Sequence, residues 1–387
     1  MTRDEVLIIG AGPAGICAAY WLKRLGIAYR VVDQASVVGS TWAGLYPGLR
    51  LNTLSLNSHL PGELMPLRYG FYPTGKQYYA YLARYVERHH LKITLNVTVK
   101  HVEPEPDGGW RVESSEGSAV YPAVIVATGR FSHPVIPPIP GAETFRGELI
   151  HAHDFHDPER YRGKRVMVVG SGPSGGDIAA LLGDYAAPPV LLAVRSDVVL
   201  ARRYPLGLPH TTWQYLIRLL PKRLHKPLIN ALVYRGYPGM KNLPIKFAPN
   251  REDRLGTSAP IRGPELIRAL QSGRVIGVAG LAALRDGCAV LMDETAYEVD
   301  AVIMGTGYRP ALDYLDIPFE VDSDGWMVRE VDPEFGAEGM GIAGHPGLYL
   351  VGRFYRGYGA FRNFRYEAKI AAHQIERYLK TLSSSRL

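Results

Sequence analysis

The sequence predicts an α/β protein with two doubly wound parallel sheets, the second inserted into the first, and a small antiparallel meander. Three observations carry this. Two glycine-rich turns, Gly10-Ala-Gly12-Pro13-Ala14-Gly15 and Gly170-Ser-Gly172-Pro173-Ser174-Gly175, each lie between an apolar run and a helical pattern. Short apolar strands recur after each turn, in the strand–helix–strand order of a parallel sheet. At 387 residues, with 47% hydrophobic and 21% charged residues, the chain has the length and composition for two or three full cores.

Taken in order, residues 5–9, 13–25 and 29–33 read as strand, helix and strand. The segment from Ser36 to Tyr72 is rich in Gly, Pro and Asn and too long for a plain connector, so it reads as a functional loop. Thr74 is placed to cap an amphipathic helix running to about His89, with His89-His90 as its exposed end. Alternation between Ile93 and Tyr121, broken at Asp107-Gly-Gly109, predicts the meander; Tyr121 to Val126 returns as a parallel strand ending at Ala127-Thr128-Gly129.

The second unit opens with a strand at Arg165–Val169 and a helix from Pro173, followed by a strand at Val190–Val194. A Pro- and Tyr-rich insertion at about 201–264 interrupts it. Within that insertion Trp213 to Tyr234 is a basic amphipathic stretch broken by Pro221 and Pro227, which suits a substrate lid, a membrane-surface patch or a packed helix pair. Strands resume at Val275–Val278 and Val299–Met304, the latter reaching Gly305-Thr306-Gly307-Tyr308. A last strand at Leu348–Val351, a helix at Phe361–Leu379 and a frayed tail at Ser383–Ser385 complete the chain. This order predicts one domain from 1–160 plus 308–387, holding a second at 161–307.

Each turn is suited to a dinucleotide. Its first glycine allows the tight bend, the second admits a pyrophosphate against the backbone, and the third lets helix and strand pack closely. The helix then directs its first amides at the phosphates. Asp33 ends the second strand of the first unit, where a carboxylate bonds ribose hydroxyls and repels a 2′-phosphate; this suits FAD or NAD, with Gln34 beside it. The equivalent strand of the second unit ends at Arg195-Ser196, a guanidinium and a hydroxyl suited to the 2′-phosphate of NADPH. The pair of sites together reads FAD first and NADPH second. Two such Rossmann-like domains in one chain imply electrons passing from one nucleotide to the other.

Other classes are disfavoured. The net charge of +7 (44 basic residues, 37 acidic) comes without a dense basic run, so polyanionic cofactors explain it better than nucleic acid. The two cysteines, Cys17 and Cys288, form no Cys-x-x-Cys, which argues against a dithiol reductase. No stretch approaches the roughly 20 apolar residues of a membrane span. The strand beginning at Val6 leaves no room for a signal peptide, so cytoplasmic residence is the default expectation. A homodimer and peripheral membrane contact are both compatible with the sequence.

With both turns placed, Phe145-Arg-Gly147 through His151 to Phe155 resembles the fingerprint of flavin-containing monooxygenases, F-x-G-x-x-x-H-x-x-x-(F/Y). Baeyer–Villiger monooxygenases carry Trp where this chain has Phe155. Gly39-Ser-Thr41-Trp42 is similar to the family's Gly-Gly-x-Trp segment beside FAD, and Gly305-Thr306-Gly307-Tyr308 to its C-terminal A-T-G-Y. The resemblance runs in order over nearly the whole chain and adds Gly352 to the expected FAD contacts. Leu219-Leu-Pro221 and Pro260 to Gly273 more loosely resemble the insertion of plant auxin-forming members. His151, His153, Asp154 and His156 also have nearly a metal-ligand spacing, but Phe155 occupies the aspartate position, so no metal is expected; the resemblance makes His151 structural.

The same resemblance implies that NADPH reduces FAD, that O2 adds at the flavin C4a, and that the resulting (hydro)peroxide oxygenates a small soft nucleophile at N or S. A Baeyer–Villiger or 2-oxo-acid oxygenation, a flavin reductase or oxidase, an electron carrier and a nucleotide-binding sensor are the alternatives. In Leu51 to Met65 relatives place an asparagine before a similar Leu-Pro…Met run; here His59 takes its position, with Asn57 and Asn52 near, so Asn57 and His59 are the catalytic candidates. Tyr355, Tyr358, Phe361 and Phe364 suit either a pocket or core packing.

Overall fold

The computed structural model describes residues 5–240, 243, 245–246, 260–323, 325–332, 337–353 and 359–384. They fall into two units, one of 1–44, 53–133 and 308–387, the other of 45–52 and 134–307.

The first unit is built on a seven-stranded sheet. Its five parallel strands, in spatial order, are His345–Leu350, Val124–Val126, Val6–Ile9, Tyr29–Val32 and Ile93–Thr94. Arg329–Asp332 and Ala337–Ile342 extend it antiparallel beyond His345–Leu350. Val6–Ile9 and Val124–Val126 are buried along their whole lengths, which is why they read as unbroken apolar runs. The helix Pro13–Arg24 packs on Ala360–Ser384, with Trp21 against His373 and Lys369. The helix Gly75–Arg88 starts at the expected Thr74, whose hydroxyl accepts from the Gln77 amide at 3.2 Å while Gln77 Oε1 accepts from the Thr74 amide at 2.8 Å. His89 closes this helix half-buried, between the rings of Tyr20 and Tyr85, rather than exposed.

The second unit carries a five-stranded, wholly parallel sheet: Val275–Ala279, Val190–Val194, Val166–Val169, Ala301–Met304 and Glu148–His151. Pro173–Leu182 follows the central strand as its helix.

Several expectations are revised. Ile93–Thr94 joins the parallel sheet, so the meander is Val99–Pro104, Trp110–Ser114 and Gly117–Tyr121. Glu148–His151 is a strand of the second sheet, and the unit boundary accordingly falls at 133/134 instead of near 160. A second meander, Leu281–Arg285, Cys288–Leu291 and Ala296–Glu298, went unread. Pro227 breaks nothing. It sits in the first turn of His225–Leu232, where a missing N–H is harmless, and the real break with His210–Ile217 lies around Pro221. Ser383 and Ser384 are helical, their hydroxyls bonding Leu379 O and Lys380 O at 3.0 Å. Tyr355, Tyr358, Ser385 and much of 241–259 lie outside the described residues.

Candidate functional site

In the first unit the turn after Val6–Ile9 is forced by its own backbone. A Cβ at Gly10, whose φ is +112°, would lie 2.5 Å from Ala127 O, and one at Gly15 would lie 1.9 Å from Gly10 O. Gly12 differs: a Cβ there meets nothing within 4 Å. The chain itself gives no reason for the middle glycine, whereas a pyrophosphate lying over the first turn of Pro13–Arg24 does. The second unit repeats the pattern. A Cβ at Gly170 or Gly175 would lie 2.4 Å from Gly305 O or Gly170 O respectively, and one at Gly172 is again unopposed. Both turns therefore fit a dinucleotide in the way the sequence requires.

Asp33 braces the first turn. Its Oδ2 accepts from the Ala11 amide at 2.6 Å and its Oδ1 from the Ala35 amide at 2.8 Å, which holds the half-buried carboxylate at the strand end. Gln34 is exposed beside it. Gly39, with φ +62°, donates to Ala11 O at 3.0 Å and starts the short helix Ser40–Ala43, which carries Thr41 and Trp42. Trp42 is half-buried and packs on Tyr78 and Phe361, at centroid distances of 4.6 and 5.5 Å. Ala127 donates to Ile9 O at 2.8 Å, and Thr128 Oγ1 donates to Ala311 O at 3.2 Å, fixing the segment that ends in Gly129. Gly352 has φ +87°, and a Cβ there would come 2.8 Å from the Cβ of Ala14.

In the second unit Ser171 and Ser196 share a hydroxyl–hydroxyl bond of 3.2 Å, tying the glycine turn to the end of Val190–Val194. Arg195 is exposed with no carboxylate in ion-pair range among the described residues; Gly280 leaves room for its stem, since a Cβ there would fall 2.4 Å from Arg195 Cγ. The Gly305 amide donates to Val169 O at 2.7 Å, and the Thr306 hydroxyl to Val135 O.

His151 ends its strand opposite Met304. Its Nδ1 accepts from the His153 amide at 3.0 Å, so Nε2 carries the proton and donates to Gly307 O, also at 3.0 Å. Burial lowers its pKa, partly offset by the Gly307 bond, and the ring is neutral with both nitrogens engaged. Phe155 is buried against Tyr46 and Tyr161. Among the described residues no group of three or more His, Cys, Asp or Glu is arranged around a metal position.

The loop with the two catalytic candidates is held by tyrosines of Gly75–Arg88. The Tyr81 hydroxyl accepts from the Leu60 amide at 2.8 Å and donates to Glu63 O at 2.6 Å, while Tyr85 donates to Pro61 O at 2.6 Å. Asn57 is buried in Ser55–Ser58, and His59 follows half-buried. Asn52 falls in the second unit. His59 Nδ1 lies 2.9 Å from Leu60 O; a carbonyl only accepts, so Nδ1 holds the proton. Nε2 then accepts from Arg365 Nη1, which also lies 2.7 Å from Nδ1. Burial depresses the His59 pKa most; the Leu60 bond opposes it and the Arg365 charge adds to it. His59 therefore sits neutral with neither nitrogen spare.

Arg365 and Glu367 were not singled out from the sequence. Both lie on the apolar stripe of Ala360–Ser384, Arg365 with Phe361, Ala368 and Ala372, Glu367 with Ile370 and Ala371. A charge on a core-facing stripe is the signal that would have found them.

Two dinucleotide cradles in one chain, without a dithiol, define a flavoprotein oxidoreductase of the pyridine-nucleotide type. Comparison with known proteins agrees: residues 7–204 match the family described as pyridine nucleotide-disulphide oxidoreductase. The chain is 30% identical over 390 residues to the probable indole-3-pyruvate monooxygenase YUCCA7 of Arabidopsis thaliana, covering 95% of this chain and 86% of that one. A flavin-containing monooxygenase from Stenotrophomonas maltophilia superposes with a TM-score of 0.73 at 24% identity, covering 97% of this chain and 100% of that one. The bacillithiol disulfide reductase of Staphylococcus aureus shares the fold, with a TM-score of 0.70 at 16% identity over 97% and 99% of the two chains. The chain belongs to the pyridine nucleotide-disulphide oxidoreductase family and, within it, to the class B flavin-containing monooxygenases, FAD- and NADPH-dependent enzymes. Among the described residues no helix is long and apolar enough to cross a membrane.

Proposed function

We propose that this chain takes a hydride from NADPH and uses O2 to oxygenate a small molecule, with the first unit holding FAD and the second NADPH. The observation that carries the division of labour is the contrast between the two strand ends: a braced carboxylate at Asp33, and an exposed guanidinium at Arg195 beside the Ser171–Ser196 pair. A carboxylate repels a 2′-phosphate; a guanidinium and hydroxyls bind one. Bound FAD supplies the hydride acceptor and the centre that reacts with O2.

On this reading Gly10, Gly12, Pro13, Ala14 and Gly15 hold the FAD pyrophosphate, and Thr41, Trp42, Ala127 to Gly129 and Gly352 complete that site. Gly170, Gly172, Pro173, Ser174 and Gly175, with Gly305 to Gly307, do the same for NADPH. Asn57 and His59 face the oxygen chemistry. His59 donates to the reacting oxygen only by giving up the Leu60 carbonyl or the Arg365 guanidinium. A thiol relay has little support: Cys17 is fully buried and its thiol pKa is pushed far up by burial, which removes the reactive thiolate.

Oxygenation of a soft nucleophile at N or S is the first substrate reading. A 2-oxo acid is the second, and the substrate printed in the relatives' names favours it. Oxygen-18 incorporation separates them: a labelled N- or S-oxide marks the first, labelled carboxylate with released CO2 the second. NADPH consumed with only H2O2 formed would reject both.

Arg195→Ala is expected to raise the KM for NADPH by about 1–3 kcal/mol, roughly 5- to 150-fold, and to change that for NADH less than about twofold. Equal changes in both steady-state values would remove the 2′-phosphate assignment. His59→Leu is expected to raise the share of NADPH oxidised that appears as H2O2 several-fold, whereas His59→Asn, which restores the family's residue, keeps it low. Identical peroxide yields from both variants would take His59 out of the oxygen chemistry.

A further inference from the structure

Among the described residues no carboxylate lies in ion-pair range of Arg365. This arginine lies in the second turn of Ala360–Ser384, half-buried, on the stripe that buries Phe361 and Ala368. Withdrawing a guanidinium from water costs several kcal/mol unless a carboxylate offsets it. Elsewhere in the first unit the guanidiniums withdrawn from water have such partners: Arg329 meets Glu367 at 3.2 Å, and Arg353 meets Asp322.

Among the described residues Arg365 has no such partner. Its hydrogen-bond partner is the neutral His59, and the formal charge acting on it most strongly is the like-signed Arg362. The thiol and phenols that also feel it, Cys17, Tyr78 and Tyr81, all titrate above their ordinary values because of burial and are neutral at physiological pH. Both contacts with His59 are made by Nη1, so among the described residues the Nε and Nη2 donors stay available to a planar anion. On the same helix, one turn earlier, Phe361 packs with Trp42 and Tyr78, so an aromatic wall stands beside the cation.

We propose that Arg365 is the anion-reading residue of the oxygenation site, and that the substrate is a small carboxylic acid with an apolar body, whose carboxylate completes this ion pair. The inference rests on the monooxygenase reading and narrows its substrate, and it holds for a 2-oxo acid as for an amino- or thio-acid. His59 acts as a positioning residue: it holds Nη1, and it can do so only while neutral.

The test uses the full FAD-loaded chain, oxidised and without NADPH, titrated with phenylpyruvate and with its uncharged methyl ester while the flavin absorbance is followed. The acid is expected to bind at least about tenfold more tightly than the ester. Arg365→Gln should weaken the acid about tenfold or more, to the level of the ester, and Arg365→Lys should recover part of the loss. Equal binding of acid and ester by the unaltered chain overturns the proposal, as does no saturable binding of the acid at millimolar concentration. So does an Arg365→Gln variant that loses FAD yet, when saturated with FAD, binds the acid as before; the anion would then be the cofactor's own. Because no turnover is involved, failure here is distinct from failure to find an oxygenated product. The acid–ester comparison needs no variant, so it stands even where Arg365→Gln does not fold.

Discussion

Gly12→Val is expected to give a folded protein that does not retain FAD. A Cβ at Gly12 meets nothing within 4 Å, so the backbone there does not demand glycine. The same space is what the pyrophosphate requires, and a branched side chain there holds the phosphates off the helix amides. Hydrogen bonds to a charged group contribute about 1.5–3 kcal/mol each, so losing two weakens FAD by about 100-fold or more. Gly172→Val is the counterpart: the protein stays yellow and is reduced by dithionite, but its reduction by NADPH needs about 100-fold more coenzyme. Gly15→Val provides the contrast. Its Cβ would lie 1.9 Å from Gly10 O, so that variant fails in folding. The checks are flavin absorbance per protein, thermal melting and anaerobic NADPH titration. A Gly12→Val protein that keeps its flavin would show that the cofactor does not lie over this turn.

The glycines of these turns also mark how far the sequence was readable. Motif spacing identified both turns because backbone geometry leaves no other residue at Gly10 and Gly15, and a constraint that severe reads directly from the letters. The buried parallel strands were equally legible: Val6–Ile9 and Val166–Val169 are covered on both faces, so nearly every residue is apolar. The helix from Gly75 was announced by its Thr74 cap. Glu148–His151 was not, since an edge strand with only a half-buried middle lacks both the apolar run and a clean alternation. Its sequence matched a family fingerprint, and that reading hid its role as a strand. Arg365 and Glu367 escaped for a different reason. A charged residue on a helix is ordinarily solvated, and what buries these two is contact with His59, Gly352 and Arg329, the last 38 positions away. Local pattern carries the scaffold and the glycine turns; the electrostatics around Arg365 and Glu367 depend on which distant segments the fold brings together.

Glu367 gives the largest expected loss of stability. Its Oε1 meets Arg329 Nη1 at 3.2 Å and its Oε2 accepts from the Gly352 amide at 2.6 Å. The two side chains are 7% and 2% exposed, so neither charge has water to fall back on. Glu367→Ala strands the Arg329 guanidinium and the Gly352 amide together, at about 3–5 kcal/mol. That is a large part of the roughly 5–15 kcal/mol that stabilises a typical domain. Because a Cβ at Gly352 would come 2.8 Å from that of Ala14, the loosening starts next to the helix that follows the first glycine turn, and FAD loss should accompany it. Replacing both partners, as Arg329→Met with Glu367→Leu, removes the buried charges together and should recover at least half of the loss, although the Gly352 amide stays unsatisfied. Urea unfolding of the three proteins decides. A Glu367→Ala unfolding free energy within about 1 kcal/mol of the parent would mean that the buried pair contributes little, and that Gly352 is held by its own backbone instead.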